Sequence, residues 1–207
     1  SDGNKNLTAR FVDAAGNMGT ASGSVTVNLD GSPPTAVSTP LTVAAATNGI
    51  NNAEKTAGVS VSVNLTGTGA VAGDTLNILL NGVAFSTPVT QVLSSAQITA
   101  KLATLVIPSG AGWGSDGSKV LTATVTDSLG NSGLPGGALT TTLDTVAPNA
   151  PTNALTVSAA ASGINSTELA AGVTVRVDLT GTAAVSGDKV EMLLGGVAFS
   201  TPATQTL

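Results

Sequence analysis

Apolar side chains recur at every second position over short stretches of the chain. Val59, Val61, Val63 and Leu65 alternate with Ser60, Ser62, Asn64 and Thr66, a period of two that gives a strand one buried face. The same reading predicts strand A over 41–46, B over 59–66, C over 75–80, D over 83–93, E over 102–108, F over 120–126 and G over 137–143. Asn81-Gly82 between C and D is a hairpin signal, and 94–100 reads as one helical turn. Seven strands in roughly 100 residues predict an all-β, immunoglobulin-like sandwich, here without the cysteine pair and core tryptophan of antibody domains.

The pattern repeats. Shifted by 114 residues, the sequence aligns with itself without a gap, and just over half of the comparable positions are identical. Gly82-Val-Ala-Phe-Ser-Thr-Pro88, for example, falls on Gly196-Val-Ala-Phe-Ser-Thr-Pro202. Tandem sandwiches arranged end to end follow from such a period. Asp30-Gly-Ser-Pro-Pro34 and Asp144-Thr-Val-Ala-Pro148 each follow a strand and open a Pro- and Thr-rich connection, which sets the phase. The expected division is the C-terminal part of one repeat at 1–30, a complete repeat at 31–144, and the N-terminal part of the next at 145–207. The chain then reads as a window on a longer array.

Composition narrows the function. The 207 residues include 42% hydrophobic but only 2% aromatic and 9% charged residues, with 25 Gly. A net charge of −5 and the lack of a basic stripe argue against a nucleic-acid partner. Apolar runs far shorter than a membrane span argue against direct membrane insertion. The absence of His, Cys and Tyr excludes the usual catalytic triads, thiol nucleophiles and zinc sites, so an enzyme is not expected. Trp113 is open to two readings, a ligand-stacking ring or a cap on the E–F turn. Lys119, which recurs as Lys5, would need a buried carboxylate beside it to form an isopeptide bond.

The carboxylates carry the functional signal. Ten of the twelve acidic residues form five pairs under the shift: Asp2/Asp116, Asp13/Asp127, Asp30/Asp144, Glu54/Glu168 and Asp74/Asp188. Of the seven basic residues only Lys5/Lys119 pair. Alternating strands place Asn51, Glu54, Asp116 and Asp144 at one pole of the complete repeat, and Asp74, Asp127 and Asn131 at the other. Stacking would bring the first group to Asp188, and the second to Asp2 and Asp30. Gathered carboxylates repel unless a cation sits among them, and an all-oxygen donor set selects calcium. The competing reading is that each acid serves its own loop, since Asp-x-x-Gly-Asn is also a good turn.

Asp-x-x-Gly-Asn at 13–17 and 127–131, Asp before a Pro-rich linker, and Ile-Asn-x-x-Glu at 50–54 and 164–168 resemble the tandem bacterial Ig-like repeats of large secreted adhesins, the biofilm-associated and RTX-type adhesins. The resemblance implies a Ca2+-stiffened extender at the bacterial cell surface, exported by type I secretion. Such an extender holds a distal adhesive domain outward for cell adhesion and biofilm formation, and its partners are the neighbouring repeats of the same chain. The Gly-Gly-x-Gly-x-Asp nonapeptide of RTX calcium rolls is absent, and no ligand-binding module is visible. Two alternatives remain open. One is self-assembly into a homopolymeric filament or sheath by strand donation, because 145–207 lacks strands E to G while 1–30 supplies roughly F and G. The other is carbohydrate or ice binding on Thr122, Thr124 and Thr126 with Thr140, Thr141 and Thr142.

Overall fold

The alternation at Val59 builds a strand, Val59–Asn64, with Val59, Val61 and Val63 buried and Ser60 and Ser62 facing outward. A computed structural model describes residues 2–44, 48–158 and 163–207. It divides into two compact units, Ser1–Thr145 and Val146–Leu207. Among the described residues no helix is long and apolar enough to cross a membrane.

In the first unit the elements are β1 (Gly3–Leu7), β2 (Val25–Leu29), β3 (Thr42–Val43), β4 (Ile50–Asn51), α1 (Asn52–Ala57), β5 (Val59–Asn64), β6 (Thr75–Leu80), β7 (Val83–Val92), α2 (Ser95–Ala100), β8 (Leu102–Ile107), β9 (Gly117–Thr126) and β10 (Gly136–Asp144). From β3 to β10 they form an Ig-like sandwich. One sheet has the order β3-β5-β8 and the other β4-β10-β9-β6-β7. Every pairing is antiparallel except β4 with β10, where Ile50 lies beside Leu143 and Asn51 beside Asp144. Leu41, Ile50, Val61, Leu76, Ile78, Ile107, Leu121 and Leu143 fill the space between the sheets. Preceding them, β1 and β2 form a separate hairpin.

Two expectations are corrected. Strand A is not one strand over 41–46. It is β3 in one sheet and β4 in the other, with 45–47 outside the described residues. Gly49, at φ +103°, makes part of this crossing, and a Cβ there would lie 3.0 Å from the Thr142 carbonyl oxygen. Strand D is realised as β7, which pairs with β6 at the edge of the larger sheet. Second, the core does contain a tryptophan. Trp113 is 2% exposed and meets Phe85 edge-on at 5.4 Å between ring centres. Its ring comes from the E–F connection, which Ser86 pins to β7 by a 2.8 Å bond from its Oγ to the Ala111 carbonyl. Burial this deep removes the ligand-stacking reading.

The Pro-rich connection after Asp30 is packed against the sandwich. Leu41 N–H donates to the Gly137 carbonyl, and Thr35 N–H to the Thr68 carbonyl. Gly133 and Gly136 leave room for it: a Cβ at either would stand 2.3 Å from the carbonyl oxygen of Pro34 or Val37.

The second unit contains β11 (Thr156–Val157), α3 (Ser166–Ala171), β12 (Val175–Arg176), β13 (Lys189–Glu191), β14 (Leu193–Leu194), β15 (Val197–Ala198) and β16 (Thr204–Thr206). Its registers coincide with those of the first unit at positions 114 apart: Thr156 faces Arg176 as Thr42 faces Ser62. Within the first unit, Gly3 faces Leu29 as Gly117 faces Leu143.

Removing the buried indole leaves a cavity that the surrounding strands cannot collapse to fill. Trp113→Ala is expected to cost about 3–5 kcal/mol, read as a lower urea midpoint at unchanged slope.

Candidate metal centres at the poles

Strand pairing fixes which acids share a pole. Gly117 opposite Leu143, and Leu143 beside Ile50, bring the segments carrying Asp116, Asp144 and Asn51 to one end of the complete sandwich. Thr75 opposite Thr126 brings the preceding Asp74 and the following Asp127 to the other end.

At the first of these ends, Asp116 clamps the chain as it leaves β10. Its Oδ2 accepts from the Thr145 backbone N–H at 2.7 Å, and its Oδ1 from the Thr145 hydroxyl at 2.9 Å. The Thr145 N–H chiefly, with the fields of Lys55 and Lys119 adding, holds the Asp116 carboxyl below its ordinary value of 3.8. Asp2 repeats the contact one hinge earlier. It accepts from Gly31 N–H at 3.2 Å and from Ser32 Oγ at 2.6 Å. The Ser32 hydroxyl is the main reason its pKa is lowered. Ser32 and Thr145 were not among the residues singled out by sequence, although a small hydroxyl residue just after each hinge Asp was the available sign.

Asn51 and Glu54 cap α1. Asn51 Oδ1 accepts from Glu54 N–H at 3.0 Å and Glu54 Oε2 from Asn51 N–H at 2.9 Å, a reciprocal capping box. Asn165 and Glu168 repeat it at the start of α3. Neither helix is among the elements expected from the sequence, although Asn-x-x-Glu is itself a helix-start signal. One Glu54 oxygen and the Asn51 side chain therefore already serve the helix.

Asp127 occupies both its oxygens within its own loop. Oδ1 accepts from Leu129 and Asn131 N–H, both at 2.9 Å, and Oδ2 from Asn131 Nδ2 at 2.7 Å. Asp13 makes the same bonds to Ala15 and Asn17. The side-chain amide is the first cause of the lowered pKa in each loop. Asp74 differs. It is 2% exposed, its Oδ2 accepts from Val71 N–H at 2.9 Å, and its Oδ1 is buried without a hydrogen-bond partner. Asp188 repeats the loop bond with Val185 N–H at 2.9 Å.

The entry end does gather residues remote in sequence. Asn131 Nδ2 donates to the Asp30 carbonyl at 2.9 Å across 101 positions, while its other bond holds Asp127. The Asp30 and Asp2 carboxylates meet at Ser32: Asp30 Oδ1 accepts from its N–H at 3.1 Å and Asp2 Oδ2 from its hydroxyl at 2.6 Å. Asp2, Asp30, Asn131 and Asp127 thus form one connected set, with Asp74 at the same end but not bonded to it. Among the described residues no three carboxylates form a ready metal cluster. The oxygens in the set are hard donors of the kind a divalent ion takes, and Asp74 Oδ1 is orphaned, but Asp2, Asp30 and Asp74 are not gathered into one site.

Other candidate chemistry is not supported by the placement of its residues. Lys119, 6% exposed, donates from Nζ to the Ser115 carbonyl at 2.5 Å. Thr141 is turned into the core, and Thr122 Oγ1 is buried, so the threonines do not make one exposed array.

No protein-family model matches the chain, and no curated protein matches it. It is similar to solved bacterial adhesin structures. One, described as a Ca2+-stabilized adhesin that helps an Antarctic bacterium reach out and bind ice, aligns over 99% of this chain and 46% of its own, at 27% identity and a TM-score of 0.41. A second concerns host cell surface retention of a 1.5-MDa bacterial ice-binding adhesin; it covers all of this chain and 60% of its own, at 25% identity and a TM-score of 0.37. A third, a bacterial immunoglobulin-like domain from the M. primoryensis ice-binding adhesin, covers 53% of this chain and 100% of its own, at 24% identity and a TM-score of 0.33. This chain therefore spans less than two thirds of the first two.

Two outcomes are expected. Asn51→Ala removes a cap and costs about 1 kcal/mol, by the same amount with calcium or with chelator if capping is its whole role; unequal losses in urea unfolding would assign it to an ion. Lowered folded-state pKa values mean that Asp2, Asp13, Asp116 and Asp127 stabilise the fold fully above the ordinary aspartate value. That contribution is lost as pH falls below 3.8, through the depressed values. Denaturant midpoints measured in chelator should hold from pH 7 to about 4.5 and then drop, and Asp116→Asn should lessen the drop.

Proposed function

We propose that this chain is a stretch of calcium-rigidified Ig-like extender repeats from a large bacterial cell-surface adhesin, extracellular and without enzymatic activity. The reading rests on the Asp2–Asp30 carboxyl pair beside Asn131. At neutral pH two neighbouring carboxylates oppose each other. A divalent cation turns that repulsion into a tie between Asp2 and the hinge at Asp30, which Asn131 of the following sandwich already holds through the Asp30 carbonyl. The repetition of five acid pairs every 114 residues, against one pair of bases, supports the same role at each junction. The similar structures include one described as Ca2+-stabilized. With TM-scores below 0.5 they add no weight, and the proposal stands on this chain's own carboxylates.

In this reading the partners of each repeat are its neighbours in the same chain, and the adhesive contact belongs to another part of the protein. Calcium at about a hundred times its dissociation constant would stabilise each occupied site by about 2.7 kcal/mol. Calcium should therefore raise the melting temperature and narrow the particle's distance distribution in small-angle scattering, and chelator should reverse both. Asp30→Asn should blunt the response. A melting temperature and scattering curve indifferent to calcium would refute the proposal.

A further inference from the structure

Two asparagines of the chain are followed directly by glycine, at Asn48-Gly49 and Asn81-Gly82. Glycine presents its backbone nitrogen with no side chain to crowd it, so in this dipeptide the nitrogen can reach the asparagine's own side-chain carbonyl. Both asparagines are exposed, so access to water does not separate them. Their hydrogen bonds do.

Asn81 sits in the turn between β6 and β7 at φ +51°. Its Oδ1 accepts from Val120 N–H at 2.9 Å, and its own N–H donates to the Val120 carbonyl at 2.7 Å. The side chain is held on β9 and not turned onto the following peptide. Ring closure there requires both bonds to release and the turn to open. Asn48 has no such restraint: among the described residues nothing hydrogen-bonds to it. It stands at the entrance to β4, where Gly49 is at φ +103° and Ile50 lies beside Leu143.

We propose that Asn48 is a site of spontaneous deamidation in the folded protein, with water as the co-reactant, and that the fold protects Asn81 from the same reaction. The Gly49 nitrogen gives up its proton and bonds to Asn48 Cγ, while the Cγ–Nδ2 bond breaks and the amide takes up a proton and leaves as ammonia. The cyclic imide then adds water and opens at either carbonyl, giving aspartate or isoaspartate; nothing is oxidised or reduced. Each conversion places a carboxylate just ahead of Asn51, at the end of the sandwich that carries Asp116 and Asp144. Isoaspartate also lengthens the main chain by a methylene directly before Gly49, where a Cβ would already lie 3.0 Å from the Thr142 carbonyl oxygen. The residue 114 positions after Asn48 is Ser162, so an amide is not needed there. The inference does not depend on the calcium reading.

The test is incubation of the full chain in mildly alkaline buffer, folded and in urea, followed by peptide mapping with separation of aspartate from isoaspartate. In the folded protein Asn48 is expected to convert at least about tenfold faster than Asn81, which must first break two hydrogen bonds. In urea the two rates should agree within about twofold, because the dipeptide is the same and its native bonds are gone. Asn48→Ser should abolish the acidic species that accumulates on ion exchange of the folded protein. Equal rates in the folded protein would overturn the proposal, as would an Asn48 that stays intact until urea is added. A difference as large in urea as in the folded state would also overturn it, since neighbouring sequence and not the fold would then set the rates.

Discussion

An aspartate at the start of one strand grips the chain as it leaves the next, and the arrangement of the poles depends on that grip. Asp116 takes two donors from Thr145, and Asp2 takes one each from Gly31 and Ser32. A linker anchored within one residue or two of its last strand has few conformations left. The remaining freedom after Asp30 is reduced by Asn131, which bonds to the Asp30 backbone from the far side of the F–G loop. The hinge is thus fixed from both sides by polar contacts, before any ion is considered. These contacts are exposed and individually weak. What gives them purchase is the packing beneath, where Gly133 and Gly136 let the Pro-rich segment lie directly on the sandwich.

Local chemistry explains why much of this was legible in the sequence and some was not. The period-two stretches and the Asn81-Gly82 turn define strands by sterics and burial alone, so β5, β6, β8, β9 and β10 fall close to where the pattern puts them. The poles followed from strand alternation, and the bond between Asn131 and Asp30 links residues that the pattern had assigned to one seam. The splitting of strand A was hidden because its cause is the approach of Gly49 to Thr142, a contact across the fold. Trp113 was hidden for a similar reason: a lone aromatic among glycines looks exposed until Ser86 is seen holding its loop down.

Residue type alone did not separate the roles of the acids. Glu54 and Glu168 cap helices, Asp13 and Asp127 complete their own turns, and Asp2 and Asp116 hold hinges. Each role repeats with the sequence, which is why repetition was visible and function was not. Asp30 and Asp74 are less fully accounted for by their own loops. Asp30 shares Ser32 with the Asp2 carboxylate, and Asp74 has an oxygen buried without a partner. A divalent cation would relieve either condition; of the bases only Lys5 and Lys119 recur, near Asp2 and Asp116.

The most direct measurement is anomalous diffraction from crystals of this chain grown in calcium, with data collected on the long-wavelength side where the ion scatters anomalously. The account predicts a peak within about 2.3–2.6 Å of carboxylate oxygens of Asp2 and Asp30. Well-ordered side chains at both residues with no anomalous peak between them would contradict it.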